Sequence, residues 1–144
     1  MTEKEKKGMN KHPAHPGFMF VSSMNPDVEG LKLSDPMMDR FDVVLNYDYD
    51  AKIEKALKIP ENLSKFASKC RLAKREEIID KHVSTRMLLQ FVKNLELYGE
   101  GGAKLILVSK FDKTSQEKVR EIFEKVMEKG EDVDIDDLRS TGGD

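Results

Sequence analysis

The chain has 144 residues, enough for one domain with a modest core. Charged residues make up 36% of it, and with a net charge of −2 bulk electrostatics favour neither nucleic acid nor an anionic membrane as a partner. No apolar stretch reaches the roughly 18 residues that span a bilayer, and the lysine-rich start lacks a signal peptide's apolar region, so we expect a cytoplasmic protein.

Residues 1–16 are predicted to form a flexible arm, because they are rich in Lys, Glu, His and Pro without periodicity. His12 and His15 have a spacing found in metal sites. They lack nearby Cys or carboxylate partners, and Pro13 and Pro16 prevent a helix, so we interpret them as loop residues and predict no metal site.

Residues 17–50 are predicted to form a strand, a polar loop, a short helix and a second strand. The apolar run 18–21 (Phe-Met-Phe-Val) does not alternate, which favours a strand covered on both faces of a parallel sheet. Asp35 as N-cap, with Pro36 at the first helical position, predicts the helix. The run 43–45 (Val-Val-Leu) predicts the second strand.

Asn25 lies at the carboxyl end of the first predicted strand. Open α/β sheets bind ligands at that edge, where the amide can offer both a donor and an acceptor. Because Pro26 follows, Asn25 can equally open a turn, and both interpretations stay open here.

Two helices are predicted next, a short one over residues 51–57 and a long one that begins at Pro60 or Glu61. The long helix is predicted from four apolar residues at i, i+3, i+4 and i+7: Leu63, Phe66, Ala67 and Cys70. Arg71 is placed off this stripe. Cys70 is the only cysteine, and we interpret it as a small buried hydrophobic residue.

A further helix is predicted to begin after Ser84, a good N-cap, and to stop at Gly99. Its predicted core-facing residues are Met87, Leu88, Phe91, Val92 and Leu95. Arg86 in the first turn opposes the positive end of the helix dipole, at a cost of roughly a few tenths of a kcal/mol. Locally unfavourable residues tend to lie at functional sites, so Arg86 is either a phosphate-contacting residue or an ordinary exposed arginine.

The last third of the chain contains a segment that fits either a strand or a helix, then an amphipathic helix and an acidic tail. Residues 105–108 (Leu-Ile-Leu-Val) fit a strand or a helix. Thr114 and Glu117 form a capping box for an amphipathic helix that ends at Gly130. Residues 131–144 are acidic and predicted to be disordered, and their spaced aspartates lack the glycine and glutamate of a calcium loop.

Three motifs in order resemble the MoxR/CbbQ-like and dynein-related AAA+ ATPases. The Asn-Pro after the first predicted strand resembles sensor 1, the run 33–41 (Leu-x-x-x-Met-Met-Asp-Arg-Phe) resembles the "DRF" region, and Val83-Ser84-Thr85-Arg86 resembles sensor 2. The resemblance covers residues 17–129. It implies an α/β remnant at 17–50 with two strands of a parallel AAA+ sheet, then an all-α lid, a small helical bundle, at 51–130, in which residues 101–111 are helical.

The resemblance also implies roles for three side chains. Asn25 matches sensor 1, whose amide orients the attacking water or touches the γ-phosphate. Arg86 matches sensor 2, which contacts the nucleotide of its own subunit. Arg40 matches an arginine finger that reaches a neighbouring subunit's nucleotide, although it can instead pair with Asp39 or Asp42.

The family's Walker A and Walker B motifs are missing. The run 99–104 (Gly-Glu-Gly-Gly-Ala-Lys) has no Gly-Lys pair followed by Ser or Thr, and residues 135–137 follow no apolar run. The resemblance therefore implies the sensor and lid portion of an ATPase that remodels an unidentified protein client. We expect it to be inactive alone, with ATP and Mg²⁺ bound only when a Walker-motif-bearing chain or homologous subunits complete a ring.

The alternative hypothesis is a non-catalytic helical module that binds another protein and keeps these motifs only as evolutionary remnants. Nucleic-acid binding is disfavoured by the balance of acidic and basic residues, and the charge cluster at residues 74–77 (Lys-Arg-Glu-Glu) contains both signs.

Overall fold

Helices account for all the regular structure that the computed structural model describes, which covers residues 12–25 and 33–142, with the backbone alone for 140–142. The five α-helices in this part are α1 (Asp35–Met38), α2 (Ala51–Ala56), α3 (Glu61–Arg75), α4 (Thr85–Val108) and α5 (Lys113–Phe123). A π-helical segment, Glu124–Glu128, continues α5, and a 3₁₀ segment, Ile135–Gly142, follows. Most of the predicted arm (1–11), the predicted loop at 26–32 and residues 143–144 lie outside the described residues.

The chain divides into two units, Met1–Asn46 and Tyr47–Asp144. The second unit contains the core, and α3 lies at its centre, in contact with α2, α4, α5 and the π-helical and 3₁₀ segments. The stripe predicted for α3 is confirmed, because Leu63, Phe66, Ala67 and Cys70 are all buried.

Three aromatic rings join the helices of the second unit. Phe123 of α5 makes edge contacts with Phe66 of α3, at 5.4 Å between ring centroids, and with Phe91 of α4, at 5.7 Å. Edge-to-face pairs at such distances add to the stabilisation from burial. Phe123 is therefore the side chain through which α3, α4 and α5 meet.

Gly99 interrupts α4 where the sequence predicts a helix to stop. Its φ of 70° lies in the left-handed region that only glycine adopts at little cost, and it separates two helical stretches. The stretch after the kink contains residues 105–108, so the helical interpretation of that run is confirmed.

Two helices end on non-glycine residues in the left-handed conformation, Lys58 (φ 60°) and Glu77 (φ 57°). In each, the next residue is a buried isoleucine whose N–H donates to a carbonyl of the last helical turn: Ile59 to Glu54 at 3.0 Å, and Ile78 to Ala73 at 2.8 Å. This is the Schellman arrangement, in which an apolar residue beyond the helix covers its end. Burial of the isoleucines offsets the strain at Lys58 and Glu77.

The C-terminal segment packs on α3 instead of being disordered as its composition predicts. Val133, Ile135 and Leu138 are buried in the core. Lys69 of α3 donates to the Val133 carbonyl at 3.0 Å and pairs with Asp132 at 2.6 Å. Three apolar residues among many acids were enough to anchor this segment.

The first unit does not contain the two strands that the sequence predicts, and the predicted α/β remnant is wrong. Residues 18–21 and 43–45 belong to no strand, and side chains 18–21 are 68–79% exposed. A strand requires a neighbour to take up its backbone hydrogen bonds. The two segments do not pair with each other, and residues 12–25 and 33–142 supply no other strand. Apolar composition alone did not make them a sheet.

Caps at two helices differ from the predicted ones. In α1, Ser34 is the N-cap and Asp35 the first helical residue. In α5, the cap is Asp112 instead of Thr114: its Oδ1 accepts a hydrogen bond from the Ser115 N–H at 2.7 Å. The fold thus begins α5 earlier than the capping-box pattern suggests.

We expect Phe123→Ala to lower the free energy of unfolding by about 3–5 kcal/mol, because it removes both edge contacts and leaves a cavity between three helices. Leu105→Ala is the matched control, since Leu105 is exposed, and it should change stability by less than about 0.5 kcal/mol. Urea unfolding measures both. Equal effects of the two variants would contradict this core.

We expect the stability of the Asp112→Asn variant to fall less than that of the wild type when the pH is lowered. The Ser115 N–H bond holds the pKa of Asp112 below its ordinary value. Its stabilising effect is therefore present above the unfolded pKa of about 4 and disappears as the pH falls through the lower folded pKa. Asparagine also caps helices but does not titrate. Thermal midpoints at about pH 7 and pH 2 should therefore differ less in the variant than in the wild type; an unchanged difference would contradict this.

Candidate functional site at the start of α4

Arg86 is the second residue of α4 and its side chain is exposed. Within the described part of the chain it forms no ion pair and no side-chain hydrogen bond. All five guanidinium donors can therefore be offered to another molecule. An arginine fork fits the oxygens of a phosphate or a carboxylate.

The predicted cap of this helix is confirmed. Ser84 has extended backbone angles, and its hydroxyl accepts a hydrogen bond from the Met87 N–H at 3.2 Å. The first N–H groups of a helix have no partner inside the helix and carry partial positive charge. Arg86 adds a full positive charge to this end, and no acid in the first turn offsets it.

A buried ion pair lies beside the start of α4. Arg71 of α3 and Glu54 of α2 are joined by a 2.5 Å contact, with Glu54 only 1% exposed and Arg71 8% exposed. The prediction that Arg71 lies off the apolar stripe is wrong. Arg71 follows Leu63 and Ala67 at steps of four, a spacing that could have placed it at the edge of the buried face.

The pair is enclosed by aromatic and polar neighbours. The guanidinium carbon of Arg71 lies 3.8 Å from the centre of the Tyr49 ring, and that ring is 6.2 Å from the ring of His82. One turn along α3, Arg75 binds Asp48 at 2.7 Å. Arg71 and Arg75, one turn apart on α3, therefore hold Tyr49 and Asp48 against this helix. No sequence pattern predicts these contacts of Asp48, Tyr49 and His82.

Asn25 and Arg40 belong to the first unit, whereas Arg86 belongs to the second. The strand that was expected to place Asn25 at a sheet edge is not formed, so the geometric argument for Asn25 is lost and its role stays a prediction from motif order. Arg40 is exposed after α1, and no pair with Asp39 or Asp42 forms. The structure does not test its predicted role.

The glycine-rich run at 99–104 forms no phosphate loop. Residues 100–104 lie in the second stretch of α4. Lys104 binds Glu128 at 2.8 Å and Glu124 at 3.2 Å, with its Nζ 5.1 Å from the centre of the Phe123 ring. With its charge used in this way, Lys104 does not serve a phosphate.

No cluster of three or more His, Cys, Asp or Glu residues suited to a metal ion occurs in the described ranges. The His15 Nδ1 accepts a hydrogen bond from the Gly17 N–H at 3.0 Å, which engages one of its two possible ligand atoms. The part of the chain that the structure describes therefore offers no preformed cluster for a metal ion.

Cys70 is fully buried, as predicted. Burial raises the pKa of its thiol, although the nearby Arg71 opposes this effect. The thiol therefore stays protonated at neutral pH, and the thiolate needed for nucleophilic or redox chemistry is not formed.

Two of the grooves on the described surface of the second unit do not include Arg86. One is lined by Glu100, Gly101, Lys104, Met127 and Glu128. The other lies between α3 and the C-terminal segment, around Lys69 and Leu72. The candidate site is an exposed arginine at a helix start that has a side-chain cap.

No protein family, curated protein or solved structure matches this chain in the comparisons with known proteins. No helix among residues 12–25 and 33–142 combines the length and apolar character needed to cross a membrane.

We expect Ser84→Ala to destabilise the protein by about 1 kcal/mol, because the Met87 N–H loses its partner. Ser84→Asn should restore most of the loss, since asparagine caps helices equally well. The measurements are urea unfolding and hydrogen exchange of the Met87 amide. Unchanged exchange in Ser84→Ala would show that the cap does not hold this end.

Proposed function

We propose that this chain is the sensor and lid portion of an AAA+-type ATPase, acting with a Walker-motif-bearing chain or with homologous subunits in a ring. The helical unit presents Arg86 to the phosphates of a nucleotide that the other polypeptide holds with Mg²⁺. The lid then responds to the state of the nucleotide, and this response drives remodelling of a protein client in the cytoplasm.

One observation supports this proposal most: Arg86 is exposed, unpaired among the described residues, and located at a helix start that has a side-chain cap. In the first turn of a helix an arginine is slightly destabilising, because its charge opposes the positive end of the helix dipole. Without a function, Arg86 would therefore have no stability advantage at this position. A phosphate brought to the same place reverses the sign of that interaction. In the order of the motifs Arg86 matches sensor 2, and this resemblance indicates that the phosphate belongs to a nucleotide.

Arg40 keeps its proposed role as an arginine finger. It is exposed and pairs with neither Asp39 nor Asp42, so its charge remains available for another subunit. Asn25 keeps the sensor 1 role only through its position in the motif order.

The chain alone should not hydrolyse ATP. Its glycine-rich run is helical, and the described residues contain no cluster of three or more His, Cys, Asp or Glu suited to a metal ion. Phosphoryl transfer requires both a phosphate cradle and a metal ion. In this proposal both come from the other polypeptide.

A second candidate is the non-catalytic protein-interaction module. It is favoured by exposed apolar side chains in both units, including residues 18–21 and 43–45 in the first unit and Leu97, Tyr98 and Leu105 on α4. Isolated apolar residues on a surface are ordinary, but contiguous ones mark contact sites. This function does not require Arg86.

We expect Arg86→Ala to abolish the effect of this chain on ATP hydrolysis. The full chain is mixed with a Walker A polypeptide, sought first in the adjacent reading frames and otherwise taken from homologous full-length subunits, and phosphate release is measured. The wild type should stimulate hydrolysis, Arg86→Ala should lower the stimulated rate on the order of 100-fold, and Arg86→Lys should recover only part, because lysine lacks the planar fork.

Arg120→Ala is the matched control, since Arg120 is also an exposed helical arginine and bonds only to Gln116 among the described residues. It should leave stimulation unchanged. If the two polypeptides bind but neither wild type nor Arg86→Ala alters hydrolysis, the interaction module is the better account. If the genome encodes no adjacent Walker A polypeptide and homologous full-length subunits are not stimulated either, the ATPase proposal fails.

A further inference from the structure

Two hydrogen bonds hold the residues on either side of Ser84. On one side, Arg71 Nε donates to the backbone carbonyl of Val83 at 2.8 Å. On the other side, the Thr85 hydroxyl donates to Glu54 Oε1 at 3.1 Å. The same Glu54 oxygen accepts from Arg71 Nη2 at 2.5 Å. Both bonds therefore end on one buried ion pair, and the start of α4 is fixed relative to α2 and α3.

A buried ion pair is in general not the most stabilising way to fill an interior position. Apolar residues of similar volume in place of a buried pair are often neutral or more stabilising, by about 1–4 kcal/mol. What the charged pair supplies, and apolar residues do not, is directional hydrogen bonding to Val83 and Thr85.

Helix ends fray, because their first N–H groups lack intrahelical partners. Arg86 lies within this first turn, one residue after Thr85. If the turn were held by Ser84 alone, the long Arg86 side chain would sweep a larger volume. Fixing the backbone below it lowers the entropy that is lost when the guanidinium engages a ligand.

We propose that Thr85 and Glu54 are positioning residues for Arg86, acting through the Thr85 hydroxyl and the Arg71 pair. This inference rests on the proposed function, in which Arg86 contacts phosphate. It adds that the response to nucleotide depends on the Thr85 hydroxyl, which does not itself contact the nucleotide. Through Glu54 of α2 and Arg71 of α3, these two helices restrain the backbone at the start of α4.

The test compares Thr85→Val with Thr85→Ser in the full chain. Valine has nearly the shape of threonine but lacks the hydroxyl, whereas serine keeps it. The first readout is amide hydrogen exchange at residues 86–88, which needs no partner polypeptide. The second is Arg86-dependent stimulation of phosphate release in the mixture with the Walker A polypeptide.

We expect Thr85→Val to speed exchange at residues 86–88 and to lower the stimulation, each about fivefold, the factor that corresponds to loss of one ordinary hydrogen bond. Thr85→Ser should stay near wild type in both readouts. Exchange at Gln116, in the first turn of α5, should be unchanged in both variants and serves as an internal control.

Wild-type exchange and stimulation in Thr85→Val would overturn the inference, and so would equal losses in Thr85→Val and Thr85→Ser. Failure of the proposed function has a different signature. In that case Arg86→Ala leaves hydrolysis unchanged, while Thr85→Val still speeds exchange at residues 86–88.

Discussion

The contact between Glu54 and Arg71 is the constraint on which the arrangement of the helical unit depends. It joins α2 to α3 in the interior at 2.5 Å, and Arg71 also binds the Val83 carbonyl at the start of α4. Removing one partner of such a pair leaves an unpaired charge in the interior and typically costs about 3–5 kcal/mol. The two residues are thus committed to each other, and the segments that carry them are held in one geometry.

This constraint gives the exposed Arg86 its significance. The Arg86 cation at the start of α4 has no partner among the described residues, while hydrogen bonds at Val83, Ser84 and Thr85 hold the backbone beneath it. A free charge on a fixed base suits recognition of an anion, because little order must be gained on binding. The glycine-rich run is helical and the described residues hold no metal cluster, so under the proposed function the anion is a phosphate held by another polypeptide.

Periodicity predicted the helical core well, because burial on one face imposes a spacing that is visible in one dimension. The stripe of α3, the Ser84 cap and the interruption at Gly99 all follow from local rules. The prediction of strands at 18–21 and 43–45 was wrong, because a strand needs neighbouring strands to pair with, and an apolar run does not show whether these exist. The Glu54–Arg71 pair was missed for the same reason: it joins residues 17 positions apart on two helices. Arg86 became a candidate because it breaks a local rule, and its role stays a prediction.

The most direct measurement is the side-chain ¹H–¹⁵N spectrum of the arginines in the full chain. If Arg71 is buried and bound to Val83 and Glu54, its Nε–H signal should exchange slowly with water at neutral pH and shift in Glu54→Gln, while that of Arg86 exchanges fast. Equally fast exchange at Arg71 and Arg86 would contradict the account, because no fixed base would then exist beneath the candidate site.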